Sequence, residues 1–130
     1  YLGCKSILKE TVIWATFPRE TKGYNPDFGF HYDVDDYRFL KFFVYLTDVD
    51  VSCGHHEIIP GSHKGRAVYR FFNRRIKGQL PKFYEGTVVA MLGIAGAGFF
   101  EDTICYHRGT APTEKPRVIF SVEFGVTESF

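Results

Sequence analysis

A histidine and an aspartate two residues apart, His31 and Asp33, are the residues of this sequence with the clearest potential to bind a metal. Side chains alternate between the two faces of a β-strand, so this pair would share one face, with Tyr32 on the other. An imidazole and a carboxylate are two of the three ligands in the facial triad that holds non-haem Fe(II). The triplet is short, however, and taken alone it favours a solvent-facing strand that binds nothing.

A second histidine and an arginine follow near the other end of the chain. His107 ends a strand-like run beside a turn, and Arg117 opens the next apolar run ten residues later. His107 supports the metal hypothesis, because the triad needs two histidines. Burying an arginine is costly unless an anion pairs with it, although Arg117 could also extend to solvent from the strand end. A small dicarboxylate would supply a bidentate partner for the guanidinium group.

Other acidic, histidine and cysteine side chains offer alternatives for the same chemistry. Asp35 and Asp36 lie close enough to Asp33 to replace it as the carboxylate, and Asp35 shares its strand face. Cys105 shares the face of His107, and we interpret it as a small buried apolar side chain. Four residues around turns could in principle form a zinc site: His55, His56, Glu57 and His63. Their spacing lacks the HxH alternation of cupin metal strands, so we interpret them as structural.

Most of the chain has the pattern of β-strands. Aromatic residues make up 18% of the sequence, with 13 glycines and 6 prolines, which is typical of sheet interrupted by turns. Strands are predicted at residues 11–17, 28–33, 38–47, 57–59, 87–92, 99–106 and 118–124. The run 38–47 becomes apolar on both faces, as in a strand buried on both sides. The pattern predicts a barrel or double-sheet sandwich.

One helix is predicted within this all-β pattern, at residues 64–80, where Val68, Phe72 and Ile76 are spaced by four and Pro81 follows. The segment from 64 to 82 holds seven basic residues and no acidic one, whereas the whole chain has a net charge of +1. The aromatic residues of this helix form a core-facing stripe, which argues against nucleic-acid binding. Its basic side chains are either a solvated face or a positive surface beside the site that favours an anionic substrate.

The length of 130 residues and the 45% apolar content predict a single domain, residues 1–130, with one hydrophobic core. No stretch approaches the roughly 18 consecutive apolar residues of a membrane helix, so we expect no membrane partner. Three cysteines without a CxxC pair favour a reducing, cytoplasmic location. The chain begins with Tyr1 rather than Met, and we expect an N-terminal segment of a longer protein to precede it.

Four motifs in order resemble the phytanoyl-CoA dioxygenase family of Fe(II)/2-oxoglutarate oxygenases, over residues 28–125. They are HYD at 31–33, RFLKFFVYLTDVD at 38–50, IIPGSHK at 58–64 and EDTICYHRGTAP at 101–112, followed by Arg117. The resemblance implies a double-stranded β-helix, jelly-roll or cupin-like, in which His31, Asp33 and His107 hold iron. It also implies that Arg117 binds the distal carboxylate of 2-oxoglutarate. Candidates to complete the 2-oxoglutarate site are Lys41, Tyr45 and Ser121.

The activity implied by this resemblance is hydroxylation of a C–H bond of a small organic or acyl substrate. The reaction would use Fe(II), 2-oxoglutarate and O2, and would decarboxylate 2-oxoglutarate to succinate. Related halogenases have a small residue in place of the metal-binding carboxylate, so Asp33 favours hydroxylation. Two alternatives remain: a cupin-like metal protein that does not consume 2-oxoglutarate, and a catalytically silent jelly-roll domain. The oligomeric state and the identity of the substrate stay open.

Overall fold

A computed structural model describes residues 1–19, 28–64, 69 and 72–128 of the chain. In chain order its strands are β1 (Ile7–Thr16), β2 (Phe39–Tyr45), β3 (His56–Ile58), β4 (Val89–Met91), β5 (Gly98–Glu101), β6 (His107–Gly109) and β7 (Arg117–Gly125). A short 3-10 helix spans Lys82–Tyr84. Within the described ranges, no helix has the length and apolarity needed to cross a membrane.

The seven strands form two antiparallel sheets, which confirms the predicted all-β class and the double-stranded β-helix. The larger sheet has the order β1-β7-β2-β5, and the smaller has the order β4-β3-β6. Because the last strand pairs with both of the first two, Arg117 lies beside Thr16, and Glu123 lies opposite Lys41. Residues distant in sequence are thus brought onto the same part of the larger sheet.

The alternation of burial along β2 and β7 defines two faces of the larger sheet. Every second residue of these strands is buried, and the residues between are partly exposed. We call the buried side the inner face and the other the outer face. The inner-face residues are Phe39, Lys41, Phe43 and Tyr45 of β2 and Arg117, Ile119, Ser121 and Glu123 of β7. One apolar core cluster includes Phe43, Tyr45 and Ile119, and a second gathers around Ile59 and Tyr106.

Two strand predictions are corrected by the structure. The predicted strand at 99–106 is correct only as far as Glu101, where β5 ends; residues 102–106 form a turn, and β6 begins at His107 in the other sheet. Asp102 causes the break: its side chain accepts the N–H of Ile104 (3.0 Å) and its carbonyl accepts the N–H of Cys105 (2.9 Å), which closes a turn. In the predicted strand at 28–33, only His31 pairs as β structure, through isolated bridges.

The predicted helix at 64–80 is wrong for its second half. Residues 73–80 are not helical, and residues 65–68, 70 and 71 lie outside the described part of the chain. The backbone of 74–76 pairs instead with 30–32, since Ile76 N–H donates to Phe30 O (2.8 Å) and Tyr32 N–H donates to Arg74 O (3.3 Å). Ile76 is buried as expected, but Phe72 is 76% exposed rather than packed on the sheet.

Candidate metal centre

Three side chains singled out in the sequence converge at one point. Metal-binding atoms of His31, Asp33 and His107 all lie within 4.8 Å of one another. The Asp33 carboxylate is 3.9 Å from Nε2 of His31 and 3.6 Å from Nε2 of His107, and the two imidazole rings have centroids 4.5 Å apart. Two imidazoles and one carboxylate at this spacing are the donor set of a 2-His-1-carboxylate metal site.

Backbone pairing brings these three residues together. The N–H of His31 donates to the carbonyl of His107 (3.0 Å), and the N–H of His107 donates back to His31 (2.8 Å). The N–H of Asp33 donates to the carbonyl of Thr103 (2.9 Å), within the turn that separates β5 from β6. The turn missed by the sequence analysis therefore helps to position the carboxylate.

Both histidines turn Nε2 toward the carboxylate and hold Nδ1 at a backbone carbonyl. Nδ1 of His31 lies 3.0 Å from the carbonyl of Gly29, and Nδ1 of His107 lies 3.0 Å from the carbonyl of Cys105. A carbonyl only accepts, so each Nδ1 carries the proton and donates it. Burial lowers the pKa of His107 to about 4, although Glu101 and Asp33 act in the opposite direction. A neutral imidazole with an oriented ring is the form that binds metals.

Lys41, expected to contact 2-oxoglutarate, lies among carboxylates. Its ammonium donates to Asp33 Oδ2 (2.7 Å) and Asp35 Oδ2 (2.9 Å), and it lies 3.3 Å from Glu123 Oε2. Burial alone would lower the pKa of Lys41, but these carboxylates raise it. Burial tends to raise the pKa of Asp33, but the neighbouring imidazole of His107 and ammonium of Lys41 together outweigh it, so that this pKa falls below its ordinary value. Asp33 is therefore ionised.

A cavity of about 600 Å³ connects this cluster with Arg117. All three triad residues line it, as do Lys41, Arg117 and His56. Trp14 of β1 also belongs to the wall, together with Phe17 and Phe28. The cavity thus has a polar part around the triad and an aromatic part beside it.

Arg117 is a buried cation without a matching anion. It is 7% exposed, and among the described residues no carboxylate lies within ion-pair distance of it. Its Nη1 donates to the carbonyl of Gly54 and its Nη2 to Thr16 Oγ1 (3.5 Å), while its buried Nε has no hydrogen-bond partner. Burial lowers its pKa. A Cβ at residue 109 would lie 2.8 Å from Nη2, so Gly109 makes room for the guanidinium group.

The remaining candidates for 2-oxoglutarate binding are not in the cavity wall. The hydroxyl of Tyr45 donates to the carbonyl of Met91 (2.7 Å) and accepts the N–H of His56 (3.3 Å). Burial raises the pKa of Tyr45, so its hydroxyl stays protonated. Ser121 is buried on β7. Of the four expected contacts to 2-oxoglutarate, Arg117 and Lys41 line the cavity, and Tyr45 and Ser121 are not among its lining residues.

The sequence analysis missed a buried His–Glu pair beside the triad. His56 Nε2 lies 2.6 Å from Glu101 Oε2, close enough for an ion pair but not aligned as a hydrogen bond. The ring of His56 stacks on His107 with centroids 5.5 Å apart, and Glu101 Oε1 lies 3.8 Å from His107 Nδ1. An acid that ends the apolar run GFFE was the signal available in the sequence.

Two groups of side chains considered in the sequence, the histidines and Glu57 around the turns and the basic residues of 64–82, add no residue to the metal-binding group among the described residues. Among the described residues, the histidines at 55, 56 and 63 do not gather with Glu57 into a metal-binding group. Cys105 is buried as expected, with Sγ 3.0 Å from Nδ1 of His63. Of the basic residues between 64 and 82, Arg74, Arg75 and Lys77 line a second cavity of about 540 Å³, and none that is described lines the cavity of the triad.

No protein-family model matches the sequence, and no curated protein matches it. Solved structures do. The chain is similar to EvdMO1, with a TM-score of 0.65 and 16% identity over 98% of this chain and 29% of that one. It is similar to SnoK, a non-haem α-ketoglutarate-dependent carbocyclase from nogalamycin biosynthesis, with a TM-score of 0.62 and 20% identity over 95% of this chain and 51% of that one.

A third similar structure is HygX from Streptomyces hygroscopicus, solved with nickel and 2-oxoglutarate bound. Its TM-score is 0.62 at 16% identity, over 94% of this chain and 58% of that one. The chain therefore spans between 29% and 58% of the length of these three proteins. At such identities the similarity establishes a shared fold.

Proposed function

We propose that this chain is the catalytic domain of an Fe(II)- and 2-oxoglutarate-dependent oxygenase, with His31, Asp33 and His107 as the iron ligands. The observation that carries the proposal is a single cavity lined by the converged triad and by Arg117, a buried cation with no carboxylate partner among the residues that the structure describes. The shared fold with SnoK, and with HygX in its complex with nickel and 2-oxoglutarate, supports it.

The residues around the triad fit a divalent cation. Three carboxylates, those of Asp33, Asp35 and Glu123, surround the single ammonium of Lys41, so negative charge is in excess beside the histidines. Both histidines have their Nδ1 protons engaged by carbonyls, which leaves each Nε2 lone pair for a metal. A bound dication would balance the local charge and use the lone pairs that the backbone has oriented.

Arg117 fits the distal carboxylate of 2-oxoglutarate. Its guanidinium group is held in place by Gly54 and Thr16, and its Nε is left without a partner. A carboxylate in the cavity would satisfy this donor and neutralise the buried charge. Tyr45 and Ser121, buried but not among the lining residues, would then act by supporting β2 and β7 rather than by direct contact.

Bound Fe(II) with 2-oxoglutarate and O2 supplies C–H hydroxylation, in which one oxygen atom enters the product and the other enters succinate as CO2 is lost. The chain's own residues orient the co-substrate through Arg117, hold the metal ligands in register, and line the cavity with Trp14, Phe17 and Phe28. These aromatic side chains suit a small organic substrate. Asp33 as the carboxylate ligand favours hydroxylation over halogenation.

Anaerobic addition of Fe(II) and 2-oxoglutarate tests the proposal directly. We expect the visible charge-transfer absorption of an Fe(II)–2-oxoglutarate chelate to appear only when both are present with the protein. Iron binding without this band would instead identify a cupin-like metal protein that does not use 2-oxoglutarate. No iron binding under the same conditions would overturn the proposal and favour a catalytically silent domain.

A further inference from the structure

We propose that Lys41 is a positioning residue for Asp33: its ammonium holds that carboxylate in the orientation in which it binds the metal. The inference rests on the proposed function, because it takes Asp33 as a metal ligand. It also replaces the expected role of Lys41 as a direct contact to 2-oxoglutarate.

The need for such a residue follows from where Asp33 lies. Asp33 is outside the strands, and its backbone N–H donates to the carbonyl of Thr103 (2.9 Å). Rotation about the side-chain bonds of Asp33 would carry the carboxylate away from His31 and His107. The 2.7 Å hydrogen bond from Lys41 opposes that rotation. The bond lies largely out of water, where charge-assisted hydrogen bonds are strong.

Lys41 is itself fixed by two further carboxylates. Glu123 is its cross-strand neighbour on β7, with Oε2 3.3 Å from Nζ, and Asp35 accepts a hydrogen bond at 2.9 Å. An ammonium group has three donors, and here three carboxylates surround it. The donors of Lys41 are thus committed to Asp33 and its two anchors, which leaves Arg117 as the buried cation of the cavity wall that is available to a co-substrate, beside the exposed Arg19.

The charge of Lys41, taken alone, would affect metal affinity in the opposite direction from its proposed role in positioning Asp33. A positive ammonium beside the triad repels a divalent cation, so removing it should tighten metal binding. If Lys41 acts by orienting Asp33, removing it should weaken metal binding. If Lys41 instead binds 2-oxoglutarate, its removal should weaken only that affinity. The sign of the change in metal affinity therefore separates the three roles.

The experiment measures Co(II) affinity by isothermal titration calorimetry, without 2-oxoglutarate, for the wild type, Lys41→Met and Lys41→Arg. We expect Lys41→Met to bind Co(II) roughly 10–100-fold more weakly, the range typical for loss of a partner that orients a metal ligand. Lys41→Arg keeps a cationic donor and should recover part of the affinity. The matched control is Lys9→Met, since Lys9 is equally buried and pairs with Asp36 (3.6 Å) away from the cavity. Its Co(II) affinity should equal that of the wild type.

Unchanged or tighter Co(II) binding by Lys41→Met would overturn the inference, as would a loss confined to 2-oxoglutarate affinity. If Lys41→Met does not fold, Glu123→Gln removes one anchor without touching Asp33 and should weaken Co(II) binding in the same direction by a smaller factor. Wild-type affinity in that variant would also count against the role. A wild-type protein that binds no Co(II) would instead overturn the proposed function on which the inference rests.

Discussion

The inner and outer faces of the larger sheet show the reverse of the usual distribution of charged and apolar side chains. The inner face is buried yet carries charged side chains, Lys41, Arg117 and Glu123. The outer face is partly exposed and almost wholly apolar: Leu40, Phe42 and Val44 of β2, Val118, Phe120, Val122 and Phe124 of β7, Ile13 of β1 and Phe100 of β5. Sheets with one solvated face normally place apolar residues inside and polar residues outside.

This difference indicates that the charged side chains are buried on the inner face because they serve the cavity. Charged groups are costly to bury unless they are paired or meet a ligand. Here Lys41 is paired, whereas Arg117 has no ion-pair partner within the described part of the chain, so the inner face can accept a charged ligand at one point. Substitutions on the inner face should therefore change ligand binding first, whereas those on the outer face should change stability or solubility alone.

Of these substitutions, Asp33→Ala should have the largest effect on ligand binding. We expect Fe(II) or Co(II) affinity to fall by at least roughly 100-fold, because a ligand is lost and the charge that attracts the cation is lost with it. Calorimetric titration gives the affinity, and circular dichroism of the same samples checks the fold. Retained metal binding in a folded variant would mean that another carboxylate, such as Asp35, serves as the ligand.

Arg117→Met should separate ligand binding from stability on the inner face. We expect 2-oxoglutarate affinity to fall roughly 10–100-fold, as when one charged hydrogen-bonding partner is removed. The melting temperature should stay the same or rise, because an unpaired buried charge is replaced by an apolar side chain of similar length. Arg117→Lys keeps the charge but loses the paired N–H donors of the guanidinium group, so it should bind 2-oxoglutarate with intermediate affinity. A large fall in melting temperature would show that the bonds to Gly54 and Thr16 matter more than the desolvated charge.

Asp36 lies at the end of the larger sheet and should make the free energy of unfolding depend on pH in the acid range. Its carboxylate accepts the N–H groups of Val126 and Thr127 (both 2.9 Å), which hold its pKa below the ordinary value. A lowered pKa means that the stabilisation is complete well above pH 4 and is lost as the pH falls through the folded-state pKa. Asp36→Asn should be less stable than the wild type at pH 7, and the difference should shrink toward pH 2. Urea unfolding at several pH values measures this, and a constant difference would exclude the carboxylate as its cause.

Phe100→Ser on the outer face should have the smallest effect. Phe100 is 65% exposed and touches Phe42, with ring centroids 4.5 Å apart. We expect a loss of about 1 kcal/mol or less in the free energy of unfolding, with higher solubility and unchanged metal affinity. Chemical denaturation and sedimentation at rising protein concentration measure the two properties. Weakened metal binding would mean that the two faces are coupled.

Features that depend on residues close together in the sequence could be predicted from it, and features that depend on distant residues could not. The apolar runs around β2 and β7 are short-range patterns, and strands lie at those positions. His31 and Asp33 approach His107, but the strand predicted to hold them reduces to isolated bridges at His31. The run 38–47 was expected to be buried on both faces, but Leu40, Phe42 and Val44 are partly exposed. The sequence pattern shows that these side chains are apolar, but it does not show whether other parts of the protein bury them.

The features that were missed depend on contacts between distant segments. The spacing of Phe72 and Ile76 indicated a helix, but pairing of 74–76 with 30–32 overrides it, and only the fold brings those segments together. Asp102 ends β5 through its own side chain although Ile104 continues the apolar pattern. The partnership of His56 with Glu101 spans two sheets, so neither residue's neighbours in sequence could reveal it.

Trp14, in the aromatic part of the cavity wall, gives the protein a built-in optical probe. It is the single tryptophan of the chain, so its emission reports on one place only. Paramagnetic ions such as Co(II) and Ni(II) quench indole fluorescence at short range, and a ligand that displaces water from the cavity would shift the emission to shorter wavelength. Metal, co-substrate and substrate could then be followed in real time, in dilute solution and without a label. Screening a panel of small organic acids and ring compounds for such a shift is a direct route to the substrate.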